Sequence, residues 1–228
     1  MLKGANSADV VGRIKDKMVN IQKSLPKDIV IEPYLDRTDL VNRAISTVEK
    51  NLIEGALIVI FVLVLFLGNL RAGLIVASAI PLSMLFALGM MNVFDVSANL
   101  MSLGAIDFGL IVDGAVIIVE ATLHHLGMRN AIGKLSQTEM DNEVFISASK
   151  IRSSAAFGEI IILIVYIPIL TLVGIEGKMF SPMAQTVSFA IVGALILSLT
   201  YIPMMCAAFL SKNISHKQTL SDRMMNFL

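Results

Sequence analysis

The sequence is poor in charge, cysteine and tryptophan, and each scarcity excludes a class of protein or site. Charged residues make up 16% of the 228 positions and the formal net charge is zero. This argues against a nucleic-acid partner, which needs a basic surface. The single cysteine, Cys206, provides neither a disulfide framework nor a thiolate metal site. Tryptophan is absent, so an aromatic belt would depend on three Tyr and eleven Phe. The opening residues, MLKGANSADV, lack the features of a signal peptide.

Apolar residues, in contrast, are abundant. They occupy 56% of the positions, and the mean hydropathy is +0.78. Both values indicate an integral membrane protein rather than a soluble domain. Predominantly apolar runs of about 20 residues, the length of a spanning helix, predict a mostly α-helical membrane protein with five transmembrane helices. In chain order we expect a lead-in and first span at 36–68, then spans at 70–94, 97–121, 153–175 and 179–211. The last run is longer than one span needs, and we interpret it as a single long or tilted helix.

Residues 1–35 are soluble in character and predict a small β-α-β piece. Apolar side chains between Val10 and Leu25 recur at helical steps, and Pro26 is expected to end that helix. Ile29–Leu35 is predicted as a strand, and the residues before Ala5 are a candidate second strand. A piece this small cannot bury a core of its own, so we expect it to be the end of a larger α+β domain.

The remaining segments are polar and indicate the orientation. Residues 122–151 are predicted as an extramembrane loop, and residues 212–228 as the start of an amphipathic helix. The side of this loop carries eight Lys and Arg, whereas the other side has Lys178 and nine within residues 1–50. The positive-inside rule discounts large translocated domains. If residues 1–50 belong to such a domain, the remaining comparison is eight Lys and Arg on the side of the loop against Lys178 on the other side. This places the 122–151 loop in the cytoplasm.

Three carboxylates lie in the third predicted span, within the stretch GAIDFGLIVDGAVIIVE that ends at Glu120. An acidic residue in the bilayer core costs about 2.5 to 3.5 kcal/mol on insertion scales, so three of them indicate a function. On a helix, the seven-residue spacing of Asp113 and Glu120 places them within ~20° of each other and ~10 Å apart. Asp107 would be turned ~120° from Asp113, at a distance of ~9 Å along the axis. Such spacing does not chelate one ion, and we interpret the acids as a proton relay at different depths.

Glycines in the same stretch indicate close helix packing. Gly104, Gly109 and Gly114 recur every five residues, and small residues let another helix approach. Burial favours the protonated form of a carboxyl group and a nearby cation favours the ionised form, so a site that alternates between them binds and releases protons. No Lys, Arg or His lies in the middle of a predicted span. We therefore interpret the chain as a fragment that lacks the basic partner. Glu54 and Glu159 are near span ends and are interpreted as interfacial.

Other readings of these residues stay open. The acids could be hydrogen-bonded structure or a sodium site, since carboxylates with backbone carbonyls suit hard cations. The fourteen Met could form a soft-metal path, although Met in apolar runs is more often a packing filler. His124 and His125 could contact a metal, although a pair at a helix end more often has a capping or interface role. No metal-binding residue is assigned.

The stretch from Gly104 to Glu120 resembles the fourth transmembrane helix of heavy-metal efflux transporters of the resistance-nodulation-division (RND) family. The motifs that carry the resemblance are DFG at 107–109, VDG at 112–114 and IIVE at 117–120. The segments GANSADV, LDRTDLVNRAISTV and FLGNLRAG are similar to the same family in the same order. The resemblance covers essentially the whole chain, which would be about a fifth to a quarter of a full member.

The resemblance implies a fold and an activity. Residues 1–35 would end a periplasmic porter subdomain, the five spans would be the second to sixth of twelve, and residues 212–228 would begin a cytoplasmic helix. The protein would be a proton/cation antiporter rather than an enzyme, without a cofactor, in the bacterial inner membrane. It would act as a homotrimer with a periplasmic adaptor and an outer-membrane channel.

The resemblance also assigns roles to residues. Asp107, Asp113 and Glu120 would form the proton relay, with a basic partner from the other half of the protein. An acid at the position of Asp107 is typical of exporters of divalent cations such as zinc, cobalt or cadmium. Ala121 stands where the family commonly has Asn. The alternatives are an RND relative with another cargo (copper or silver, drugs, lipid or a secretion-related substrate) and a nonfunctional truncated fragment.

Overall fold

The computed structural model of the chain describes residues 7–26, 28–32, 38–96, 102, 104, 106–128 and 135–210. These residues divide into two compact units, Met1–Lys50 and Asn51–Leu228. The structure is almost entirely helical, and none of the described residues lies in a strand.

The first unit contains helix α1 (Ser7–Ser24) and the beginning of helix α2 (Thr38–Leu67). The strand predicted at Ile29–Leu35 is not found over its described part, residues 29–32. A strand needs a neighbouring strand for its backbone groups, and here a side chain takes that place. The Gln22 side-chain amide donates to the Ile29 carbonyl oxygen at 2.7 Å and accepts from the Ile31 amide at 2.7 Å. The β part of the predicted β-α-β piece is therefore not confirmed, and residues 33–35 and those before Ala5 lie outside the described chain.

The second unit holds the rest of α2 and the helices that follow it: α3 (Leu70–Val93), α4 (Phe108–Gly127), α5 (Gln137–Leu170), α6 (Gly174–Leu199) and α7 (Tyr201–Phe209). Helices α2 to α6 are each long and apolar enough to cross a membrane, which confirms the predicted count of five among the described residues. The predicted amphipathic helix at 212–228 lies outside them.

Several helix boundaries differ from the sequence prediction, and two of the differences have a clear cause. The run 179–211 is not a single helix, because the backbone leaves the α6 geometry at Thr200 (φ −116°, ψ −61°) and α7 then begins. Pro203 explains this break, since it has no N–H to donate and its ring clashes with the carbonyl four residues earlier. The acidic span also changes: residues 102 and 104 are helical, but Ile106 and Asp107 are not, and α4 begins at Phe108.

Small side chains determine how the second unit packs. Helix α4 contacts α3, α5, α6 and α7, and α3 packs along α6. The contact surfaces are lined by fully buried alanines, among them Ala72, Ala79, Ala115, Ala190 and Ala194. In a bilayer, helices gain little from burying large apolar groups, so close backbone approach over small residues stabilises the bundle. Helix α2, in contrast, leaves large side chains such as Leu57 and Phe61 exposed by 60% and 68%.

The polar end of α5 is fixed by local hydrogen bonds. Ser136 and Glu139 form a capping box, in which each side chain accepts from the other residue's backbone amide. Gln137 donates to the Ala207 carbonyl oxygen at 3.0 Å, and the His125 Nε2 lies 2.8 Å from the Glu143 Oε2. The first turns of α5 are therefore tied to the ends of α4 and α7.

Replacement of Ser136 by Ala is expected to destabilise the protein by about 1 kcal/mol, because an N-cap hydroxyl is lost. The matched control is Ser153→Ala at an exposed position inside α5, where Ala is the better helix former and the change is at most about 0.5 kcal/mol in the stabilising direction. Thermal unfolding of the complete protein in detergent measures both. Equal unfolding temperatures for the two variants would contradict the capping role of Ser136.

Candidate functional site

Asp107 occupies the N-cap of α4 rather than a position on its face. Its backbone is extended (φ −97°, ψ 117°), and its Oδ1 accepts a hydrogen bond from the Gly109 amide at 2.8 Å. Aspartate is a favoured N-cap residue, and a negative charge there is stabilised by the helix dipole. The prediction that Asp107 and Asp113 lie on one continuous helix, turned ~120° apart, is therefore wrong. Asp107 lies at the N-terminus of the helix that carries Asp113 and Glu120.

Asp113 and Glu120 lie on one exposed face of α4, as their spacing predicts. Both are exposed, and Ile117 between them is 40% exposed. The opposite face is buried, with Ile111, Val112, Ile118 and Val119 all exposed by 4% or less. Helix α4 thus packs its apolar face on the bundle and presents an acidic face that the described residues leave uncovered.

Basic groups in the described spans lie near the ends of the apolar stretches of their helices. Arg71 is in the first turn of α3, Lys178 is near the start of α6, and Lys150 and Arg152 precede the apolar half of α5. His125, in the last turn of α4, is paired with Glu143. Among the described residues, no three His, Cys, Asp or Glu side chains come together as a metal site. None of these basic groups forms an ion pair with Asp113 or Glu120 in the part of the chain that the structure describes.

Glu159 is a site residue that the sequence prediction missed. The sequence predicts an interfacial position, but its side chain is only 2% exposed and extends from α5 into the contact with α4 and α6. Its Oε1 lies against Gly114 and 3.4 Å from the Ser198 Oγ, and its Oε2 is buried without a hydrogen-bond partner among the described residues. The error came from the helix start: α5 begins at Gln137, not near Ser153, so Glu159 is 22 residues inside the helix. A glycine and a serine on facing helices were the available signal.

Gly114 is the glycine that brings two helices together here. A Cβ atom at this position would collide with the Glu159 Oε1 and lie 2.8 Å from its Cδ and 3.2 Å from the Ser198 Oγ. Gly104 has no heavy atom within 4 Å of such a position, and a Cβ at Gly109 would meet the Asp107 side chain at 3.2 Å. Packing of another helix on Gly104 and Gly109 stays a prediction.

The whole chain, residues 1–228, matches the family model described as the AcrB/AcrD/AcrF family. The chain is 49% identical over 221 residues to the cobalt-zinc-cadmium resistance protein CzcA of Cupriavidus metallidurans, which covers 96% of this chain and 21% of that protein. It is 47% identical over 220 residues to the nickel-cobalt-cadmium resistance protein NccA of Alcaligenes xylosoxydans xylosoxydans, covering 96% of this chain and 20% of that one.

A crystal structure of a heavy metal efflux pump aligns with a TM-score of 0.76 at 41% identity. The alignment covers 89% of this chain and 20% of the pump. The chain therefore spans about a fifth of the length of the proteins that it matches.

Replacement of Gly114 by Ala is expected to destabilise the protein by about 1–3 kcal/mol, since the added methyl group must displace the Glu159 carboxyl group from a packed site. Gly127→Ala, on the same helix with open space around it, is the control and should be neutral or stabilising by up to about 1 kcal/mol. Thermal unfolding of both variants tests the contact. A Gly114→Ala protein as stable as the Gly127→Ala protein would show that Glu159 is not held against α4.

Proposed function

Because this chain belongs to the AcrB/AcrD/AcrF family, whose heavy-metal members it matches over nearly its whole length, we propose that it is part of a proton-driven efflux transporter for heavy-metal cations. Its activity would be secondary transport, cation against proton, rather than catalysis. The observation that carries the proposal is the acidic face of α4: two carboxylates, Asp113 and Glu120, on an apolar helix whose other face is buried.

The proposed role of the acids follows from the cost of charge in a membrane. Asp113 and Glu120 are uncovered by the described residues, and in hydrocarbon such groups need a partner or a proton. A basic group from outside these residues would favour their ionised forms, and its withdrawal would favour the protonated forms. Asp107, at the N-terminus of α4, would be the first of the three acids along this helix. Alternation between the two conditions would couple proton entry to a conformational cycle.

The proposed cargo is a divalent cation. The relatives named for cobalt, zinc, cadmium and nickel are 47–49% identical to this chain. These names and the acid at Asp107 support divalent cargo. The metal ligands would lie in parts of the transporter outside these 228 residues.

The proposed setting is the bacterial inner membrane, in a homotrimer that works with a periplasmic adaptor and an outer-membrane channel. The five long apolar helices support a multi-pass membrane protein. The exposed apolar side chains of α2 and α5, such as Phe61, Ile164 and Val165, are suited to contact with lipid or with further helices of such an assembly. Residues 122–151, which include the end of α4 and the start of α5, would lie in the cytoplasm. Residues 1–35 would end a periplasmic porter subdomain.

Replacement of Asp113 by Asn in the complete gene product is expected to reduce zinc, cobalt and cadmium resistance to that of a strain without the gene. The amide keeps the size of the side chain but carries no exchangeable carboxyl proton. Growth under each metal is measured together with metal uptake into everted membrane vesicles driven by a proton gradient.

The control is Asp95→Asn, the same chemical change in the exposed connector after α3. Asp95 has a positive φ of 53°, which Asn also tolerates, so this variant should retain resistance. Full resistance in the Asp113→Asn strain, at normal protein levels, would refute the relay assignment. Wild-type vesicles that transport another solute and none of these metals would refute the proposed cargo.

A further inference from the structure

Glu159 is the one carboxyl group among the buried polar side chains of the described chain. The other six are the hydroxyls of Ser83, Ser102, Ser147, Ser198, Thr122 and Thr186. An ionised carboxylate taken out of water without a paired cation costs several kcal/mol. The basic residues closest to Glu159 along α5 are Arg152 and Lys150, which on a helix are ~10 Å and ~13 Å away along the axis, and both are exposed. Its surroundings therefore favour a neutral, protonated Glu159.

Ser198 provides little hydrogen bonding for a charged carboxylate at this position. A hydroxyl group has one proton to donate. The Ser198 Oγ has two acceptors within reach, the Leu195 carbonyl oxygen at 3.0 Å and the Glu159 Oε1 at 3.4 Å. Because the carbonyl oxygen is the nearer acceptor, the bond to Glu159 is the longer and weaker of the two and does little to stabilise an ionised Glu159.

The groups that face Glu159 are carboxyl or neutral. From α4 the titratable group is Asp113, which directly precedes Gly114, the residue that the Glu159 carboxyl group contacts. From α6 the facing polar group is the neutral Ser198 hydroxyl, whereas the charged residues Glu176 and Lys178 are ~30 Å or more away along that helix. From α7 the ionisable groups are Cys206, a buried thiol, and Tyr201, whose hydroxyl contacts Ser78. No described cation opposes a proton at this position.

We propose that Glu159 is a further proton-binding group of the transporter, which exchanges its proton with Asp113. The inference rests on the proposed proton-driven function. A proton leaves the Asp113 carboxyl group and binds the Glu159 carboxylate, so one O–H bond breaks, one forms, and the pair keeps a single negative charge. Two neighbouring carboxyl groups do not both ionise readily, because the charge on one disfavours the charge on the other. They would therefore bind protons as a coupled pair.

The unpartnered Oε2 is the atom at which the proton would exchange. Oε1 is enclosed by Gly114 and Ser198, whereas Oε2 is buried without a hydrogen-bond partner in the described residues. A buried polar atom left unbonded costs about 1–3 kcal/mol, so such an atom needs a reason. The absence of a partner would be explained if Oε2 binds a proton in one state and gives it to Asp113 in the other. Gly114 permits this arrangement, because any side chain there would push Glu159 away from α4.

The test compares the complete protein in lipid vesicles with its Glu159→Gln, Glu159→Asp and Asp113→Asn variants, and with Glu54→Gln as the control. Glu54 is an exposed carboxyl group on α2. Infrared difference spectra are recorded while the external pH is stepped, and zinc transport driven by a proton gradient is measured in the same vesicles. Thermal unfolding in detergent shows which variants are folded.

The wild-type protein and the Glu54→Gln protein are expected to show the C=O stretching band of a protonated carboxyl group that Glu159→Gln lacks. Glu159→Gln should transport roughly 100-fold more slowly, the lower end of what a positioned proton-transfer group contributes. Glu159→Asp keeps a titratable group and should recover both the band and part of the transport. A purely structural role would be restored by Gln, which has the same shape, rather than by the shorter Asp.

Three results would overturn the inference. The first is an unchanged C=O band in folded Glu159→Gln, which would mean that Glu159 is not protonated. The second is wild-type transport by Glu159→Gln in vesicles where Asp113→Asn is inactive, which leaves the proposed function standing and removes Glu159 from it. The third is weaker zinc binding by Glu159→Gln with an unchanged proton response, which would assign a metal ligand instead. Full transport by Asp113→Asn would refute the relay assignment of Asp113 in the proposed function, whatever Glu159 does.

Discussion

The contact between the Gly114 backbone and the Glu159 carboxyl group is the interaction on which the centre of the bundle depends. Three helices meet there, because Ser198 of α6 faces the same oxygen. A polar group of this size can be buried only if one helix lacks a side chain, and Gly114 is that gap. The alanines of the surrounding helices continue the same close approach in both directions. The bundle is therefore held by small residues and adapted at one level to accommodate an acid.

Helix α4 separates two environments. One face is packed on neighbouring helices, and the other presents Asp113 and Glu120 where the described residues leave it open. A carboxylate on an apolar helix is unstable unless something beyond the helix meets it. Glu159 reaches α4 beside Asp113 from the packed side. The turn of α4 around Asp113 and Gly114 thus lies between an enclosed carboxyl group and an uncovered one, a suitable place for a proton to pass through the helix layer.

The sequence was sufficient for features that depend on local pattern. Five spans follow from run length, and the shared face of Asp113 and Glu120 follows from the helical repeat. The sequence was insufficient where the structure depends on a side-chain hydrogen bond or on a contact between residues far apart in the chain. Asp107 caps a helix because its side chain bonds the Gly109 amide, which hydropathy does not reveal. The Gln22 side chain occupies backbone groups that a strand would need. Glu159 is buried by residues 45 and 39 positions away in the chain, Gly114 and Ser198, and a single sequence does not show that they meet.

Helix α5 has a mechanical consequence. It runs without a break for 34 residues, from a polar end capped by Ser136 to an apolar end at Leu170, a rod of about 51 Å. Glu159 divides it into a long arm of about 33 Å towards Ser136 and a short arm of about 16 Å. A tilt of about 10° at Glu159 would move the capped end by about 6 Å, with the rise per residue of an α-helix. His125 and Ala207 are bonded to that end. A small tilt at the buried carboxyl group would therefore be amplified at the capped end and transmitted to the ends of α4 and α7.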